Sequence, residues 1–94
     1  MDFKYEENRI YLESSDGKCI AEITFPSISK NEVNINHTYV DTSLRGQGVA
    51  NKLITALVNE LKKTNKKAYA TCSYAIDWFE NHPEFDDLYL EDKK

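Results

Sequence analysis

Three features of this 94-residue chain can do chemistry: the run Leu44-Arg45-Gly46-Gln47-Gly48-Val49-Ala50, the thiol of Cys72 and the imidazole of His37. Two of the protein's three glycines fall inside the run, directly ahead of a long amphipathic stretch. A glycine loop entering a helix can aim its backbone N–H groups at one point, and the helix adds about half a positive charge there. Anions bind at such a place, phosphate above all. The thiolate of a cysteine is a nucleophile, yet free cysteine is also among the residues most often packed in cores, so Cys72 has two readings. His37, with an unperturbed pKa of about 6.5, could act as a base or serve as a structural imidazole bonded to backbone.

The pattern of apolar residues predicts the elements that position these groups. Phe3 and Tyr5, then Ile10 and Leu12, alternate with polar neighbours, and Ser14-Ser15-Asp16-Gly17-Lys18 has hairpin-turn chemistry. Cys19 to Phe25 continues as a strand in which Cys19 belongs to the core, and Pro26 to Asn31 reads as a polar connection. Val33 to Val40 reads as one strand with Val33, Ile35, His37 and Tyr39 on a shared face. Asp41-Thr42-Ser43 then supplies helix-capping residue types.

From Val49 the apolar residues Val49, Ala50, Leu53, Ile54, Leu57, Val58 and Leu61 recur at three and four, which predicts a helix ending near Thr64-Asn65-Lys66. Lys67 to Cys72 reads as a strand. Tyr74 to Asn81 reads as a shorter helix with Ala75, Trp78 and Phe79 inward, closed by His82 and stopped by Pro83, with Phe85 also in the core. Leu88-Tyr89-Leu90 adds a last strand. The expected fold class is α+β: a mixed, mostly antiparallel sheet flanked by one long and one short helix, in a single domain over residues 1–94. The step from Val33 through the long helix to Cys72 predicts a parallel strand pair.

Composition narrows the function classes. The chain is 40% hydrophobic and 30% charged, with no low-complexity tract, which is globular usage. A net charge of -4 argues against nucleic acid as a partner, since phosphate backbones are held by clustered Lys and Arg. Lys62-Lys63 with Lys66-Lys67 read as a solvated helix end and Lys93-Lys94 as a tail. No apolar run approaches the ~20 residues that cross a bilayer, and no leader pattern opens the chain, so no membrane partner and a cytoplasmic location are expected. Cys19 and Cys72 lack metal-ligand spacing; two free thiols and no metal are expected.

Phosphate motifs separate the possibilities for the glycine run. A Walker loop needs GxxxxGK[ST], and Gly48 is followed by Val-Ala-Asn-Lys. The dinucleotide GxGxxG pattern begins at Gly46-Gln47-Gly48 but has Asn51 at its third glycine. The pattern [Q/R]-x-x-G-x-[G/A] is met by Arg45, Gly48 and Ala50. It resembles the pyrophosphate-binding signature of the GNAT superfamily of acyl-CoA N-acyltransferases. The family's N-x-x-A-x-x-x-Y spacing appears as Cys72, Ala75 and Phe79. NHTYVDTSLRGQGVANKL, TCSYA and ENHPEF together resemble the small, single-domain acetyltransferase-like subgroup that carries a Cys after the main helix.

The resemblance implies a GNAT-like fold lacking the N-terminal helix pair of larger members, because Phe3 to Ile20 has room only for strands and a turn. It implies a coenzyme A thioester, acetyl-CoA, as co-substrate. The pyrophosphate would lie on Arg45, Gly46, Gln47, Gly48, Val49 and Ala50, and the pantetheine arm on main-chain groups of Thr38, Tyr39 and Val40. The thioester would point to Cys72, Ser73 and Tyr74; Tyr74 could hydrogen-bond near it or simply pack. Two departures bear on mechanism: Asn34-Ile35-Asn36-His37-Thr38 holds no carboxylate for a general base, and Phe79 replaces the tyrosine that protonates the leaving thiolate. The candidate catalytic residues that remain are Cys72, whose thiolate could attack the thioester and pass through an acyl-cysteine, and His37, which could act as base for that thiol or for the incoming amine. The expected function is transfer of an acetyl group to an amine, possible acceptors being a protein lysine, a polyamine or a small amine, by a monomer or weak homodimer. The alternative is a coenzyme A or acyl-CoA binding protein with little or no turnover.

Overall fold

The computed structural model describes residues 2–90, so the Lys93-Lys94 tail lies outside the described residues. The first strands are β1 (Lys4–Glu6), β2 (Arg9–Glu13) and β3 (Cys19–Thr24). The β2–β3 turn closes as its chemistry predicts: Gly17 takes φ +85°, and the Ser14 amide donates to the Lys18 carbonyl at 2.8 Å. Then follow β4 (Ser27–Ser29), β5 (Glu32–Ile35) and β6 (His37–Val40), a 3-10 turn at Thr42–Leu44, α1 (Val49–Thr64), β7 (Lys67–Ala70), α2 (Ser73–Glu80) and a second 3-10 turn at Pro83–Phe85.

Two sheets result, β1-β2-β3-β6, all antiparallel, and β4-β5-β7, in which β5 and β7 run parallel as the strand–helix–strand step predicts. Four details differ from the sequence expectation. The segment Pro26 to Asn31 is more than a connection: its Ser27–Ser29 pairs with β5 as a short edge strand. Leu88-Tyr89-Leu90 forms only one parallel bridge, Ala68 to Tyr89, instead of a strand.

The third difference is Cys19, which is exposed and not in the core. The β2–β3 register slips between Leu12, opposite Ala21, and Glu13, opposite Cys19, so Ile20 is an extra residue. An extra residue reverses the alternation beyond it. The fourth difference is the strand expected over Val33 to Val40, which breaks at Asn36. Val33 and Ile35 are buried, but His37 and Tyr39 are exposed and do not share their face.

The core lies between the sheets and α1. Ile10, Ala21, Ile23, Val33 and Ile35 meet Val49, Leu53, Ile54, Leu57, Val58 and Leu61 of the helix, all at most 2% exposed. Each large aliphatic side chain buried this way contributes on the order of 1.5–3 kcal/mol of transfer free energy, so packing rather than propensity holds α1 in place. α2 adds Ala75, Trp78 and Phe79 to the same core, and Phe85 packs against it half-buried.

The end of α1 is set by Asn65, which takes the left-handed conformation (φ 60°, ψ 44°) while its amide bonds the Leu61 and Lys62 carbonyls. Asn and Gly tolerate this conformation, whereas other L-residues pay roughly 1–2 kcal/mol. Asn65→Gly should therefore keep the urea midpoint and Asn65→Val should lower stability by about 1–2 kcal/mol at constant m-value. Equal midpoints for all three proteins would contradict the assignment.

Candidate functional site

The glycine turn is built from its own short-range bonds. Asp41 caps the 3-10 turn, its carboxylate accepting from the Ser43 amide at 3.0 Å, the Ser43 hydroxyl at 2.6 Å and the Tyr39 hydroxyl at 3.1 Å. The Ser43 hydroxyl, then its amide, then Tyr39 hold the Asp41 carboxyl below the usual carboxylate range, and the same bond holds the Tyr39 phenol above its own. The Arg45 amide returns to the Thr42 carbonyl and the Gln47 amide to the Leu44 carbonyl. Gly46 (φ +83°) and Gly48 (φ +69°) then reverse the chain, conformations that an L-side chain rarely adopts.

The amides of Gly46, Gly48, Val49, Ala50 and Asn51 are left without a hydrogen-bond partner among the described residues. The last three are the first turn of α1, where no intrahelical acceptor exists. A Cβ built on Gly46 or Gly48 meets nothing within 4 Å, so the space above the turn is open. These groups border a cleft of about 360 Å³ lined by Val40, Arg45, Gly46, Gly48, Val49, Ala50 and Tyr74, all expected from the sequence, together with Leu44 and Asn51, which were not. Gln47 is outside the lining. Asn51 was invisible as a site residue because its other bond is long-range: its Oδ1 accepts from Trp78 Nε1 at 2.7 Å, tying the start of α1 to α2.

Above the cleft the two sheets part. β6 pairs with β3 on one edge, and the Asp41 amide bonds the Ile20 carbonyl at 2.8 Å. Antiparallel alternation then turns the N–H and C=O groups of Thr38 and Val40 to the other edge, which has no strand beside it. Tyr39 faces β3 with its main chain, so of the three expected backbone contacts it is the one directed away. Across this gap the Thr71 and Cys72 amides both bond the Ile35 carbonyl, at 3.0 and 3.2 Å, and the chain turns into α2 with Cys72 as its N-cap and Ser73 exposed at its first position.

Cys72 points into the gap, with its Sγ 3.5 Å from Thr38 Oγ1. Tyr74 stands one turn into the cleft wall. Burial and then the nearby Cys72 thiol push its phenol above the ordinary value. Phe79 is turned away, 2% exposed and stacked on Tyr89 with ring centroids 4.3 Å apart. Among the described residues there is no group of three His, Cys, Asp or Glu able to hold a metal ion, and no helix is long and apolar enough to cross a membrane.

His37 is not brought to Cys72. It lies on the opposite face of β6 from Thr38, exposed, with Nε2 3.5 Å from Glu22 Oε2. Glu22 also accepts from Arg9 Nε at 2.7 Å, and Arg9 lies over the Tyr11 ring at 3.7 Å. Glu22 is therefore a carboxylate beside His37, on the face away from Cys72, that a search along the His37 strand could not find, because it comes from β3 across the sheet. Only the pairing of Glu22 with Tyr39 and Thr24 with His37 reveals it. Asn34, on β5, donates from Nδ2 to Thr71 Oγ1 at 3.1 Å.

Comparisons with known proteins show the same fold and a family. A solution structure of a GCN5-like protein from Staphylococcus aureus superposes with a TM-score of 0.80 at 37% identity, covering 98% of this chain and 90% of that one. The ribosomal-protein-S18-alanine N-acetyltransferase from Escherichia coli shares the fold, with a TM-score of 0.62 at 21% identity over 82% of this chain and 53% of that one. Protein NATD1 of Xenopus tropicalis is 29% identical over 63 residues, 67% of this chain, and the match spans only 58% of that relative's length. Residues 9–88 match the profile described as GCN5-related N-acetyl-transferase, and the chain belongs to that family.

Proposed function

We propose that the protein is an acetyl-CoA-dependent N-acetyltransferase that carries the acetyl group on Cys72 before passing it to an amine. The observation that carries the reading is the set of unpartnered amides of Gly46, Gly48, Val49, Ala50 and Asn51 on the rim of the cleft. Converging amides at a helix start suit a pyrophosphate, and Arg45 adds an exposed cation beside them. The pantetheine amides would add to the free edge at Thr38 and Val40 much as a strand would. That track leads from the glycine turn to Cys72.

In the proposed reaction the Cys72 thiol loses its proton to solvent, and its sulfur attacks the thioester carbonyl carbon. The bond from that carbon to the coenzyme A sulfur breaks with its electron pair on sulfur, leaving acetyl-Cys72 and a coenzyme A thiolate that takes up a proton. A neutral amine then attacks the same carbon, its proton passes to solvent, and Cys72 departs as thiolate. His37, on the opposite face of β6, takes no part in this step. Among the described residues no helix separates β1, β2 and β3, which favours an open acceptor side and an acceptor presented from outside, such as a protein lysine, a polyamine or a small amine. The reading includes a monomer or weak homodimer in the cytoplasm, in keeping with two free thiols.

A second reading, coenzyme A binding with little turnover, is favoured by the burial of Phe79, which leaves no proton donor at the family's tyrosine position. Incubation with acetyl-CoA and intact-mass measurement separates the two. One acetyl adduct is expected on wild type and none on Cys72→Ala; an adduct that survives Cys72→Ala, or no adduct and no coenzyme A release with an amine panel, would sink the transfer mechanism. His37→Asn is expected to leave both the formation of the adduct and its discharge to amine at the wild-type rate, because His37 faces away from Cys72; a discharge slowed by about 10²-fold, the usual size of a base's contribution, would place it in the reaction.

The cradle itself is tested by heat. A ligand that binds only the folded state raises its melting temperature, so coenzyme A should raise that of wild type. Gly48→Val should lower the melting point of the free protein through the strained φ and abolish the coenzyme A shift, because the side chain enters the open space above the turn. A full shift in Gly48→Val would remove the glycine turn from the site.

A further inference from the structure

A coenzyme A sulfur that leaves as an anion leaves slowly, since an alkyl thiol has a pKa of about 8.5; a proton delivered to it as the bond breaks speeds departure. Phe79 has none to give and faces the core. His37 faces the other side of β6, and His82 is stacked on Trp78 with its Nδ1 2.6 Å from the Trp78 carbonyl. Among the side chains lining the cleft only Arg45 and Tyr74 are ionisable, and a guanidinium does not release its proton. Tyr74 projects from the first turn of α2, two residues beyond Cys72, and packs half-buried against the core.

We propose that Tyr74 is the general acid of the reaction, handing its phenolic proton to the departing coenzyme A sulfur. The bond from the acetyl carbon to that sulfur breaks with its electron pair on sulfur, the proton from Tyr74 Oη joins it, and the phenolate recovers a proton from solvent. Burial and the Cys72 thiol both keep the phenol protonated at neutral pH, so the donor is loaded before the substrate arrives. The assignment rests on the acyl-transfer reading above, but the role is the same whether Cys72 or the amine is the attacking group. It moves the acid from the inward second turn of α2 to its first turn, where the helix meets the cleft.

The test compares Tyr74→Phe with wild type on two donors, acetyl-CoA and S-acetyl-4-nitrothiophenol, whose acidic thiol leaves as an anion without help. Coenzyme A release is expected to slow by about 10²-fold in Tyr74→Phe, while both proteins release nitrothiophenolate at the same rate. The KM for acetyl-CoA and the coenzyme A thermal shift should not change, showing that fold and binding are intact. An equal loss on both donors, or coenzyme A release at the wild-type rate in Tyr74→Phe, would overturn the assignment alone. A wild type that binds coenzyme A but releases none from acetyl-CoA would overturn the transfer reading and the assignment together.

Discussion

The strand that runs from Glu32 to Val40 changes partners at Asn36, and the candidate site exists because of that change. Up to Ile35 its open side is taken by β7; beyond Asn36 its other side is taken by β3. Asn36 is held at the crossing by its amide on the Thr24 carbonyl at 3.2 Å and its Oδ1 on the Thr24 hydroxyl at 2.6 Å. Across from it the Ile35 carbonyl takes two amides at once, and there β7 stops. Buried backbone groups must be paired, so a sheet that stopped pairing in its interior would be costly. Here the unpaired groups of Thr38 and Val40 open onto a cleft instead.

Everything around the gap is braced from a distance. α1 is fixed by its buried stripe, α2 by Ala75, Trp78 and Phe79, and the two are joined at the site by the Asn51–Trp78 bond. Trp78 is in turn stacked between His82 and Phe85, with Lys62 of α1 over the Phe85 ring at 4.6 Å. The strained glycines sit between these rigid elements, which is where a chain can hold an uncommon backbone conformation without losing its shape.

Helical features were readable in the sequence because they depend on near neighbours. The three-and-four spacing of α1, the capping Asp41 and Asn65 and the glycine turn are each decided within a few residues. Strand features were less readable, because one extra or bent residue swaps the faces of all that follows. Apolar or aromatic residues at 33, 35 and 39 keep the alternation running across Asn36, so nothing local announces the break there. The same happens at Ile20, which sends Cys19 outward. Asn51 reaches the site, and Glu22 reaches His37, from elements distant in sequence, and no spacing rule connects them to the glycine turn or to His37. Asn51 could be seen in the sequence only as an unsuitable residue at a dinucleotide position.

The free edge of β6 also has a meaning for solubility. An unpaired strand edge is a template for a strand of another chain, and proteins protect themselves by keeping such edges short. On β6 only Thr38 and Val40 present groups outward, between a strand that leaves for another partner at Asn36 and a 3-10 turn that begins at Thr42. Two residues are enough to seat a few amide bonds of a small molecule and too few to register a foreign strand. The gap is thus kept below the length at which it would invite self-association.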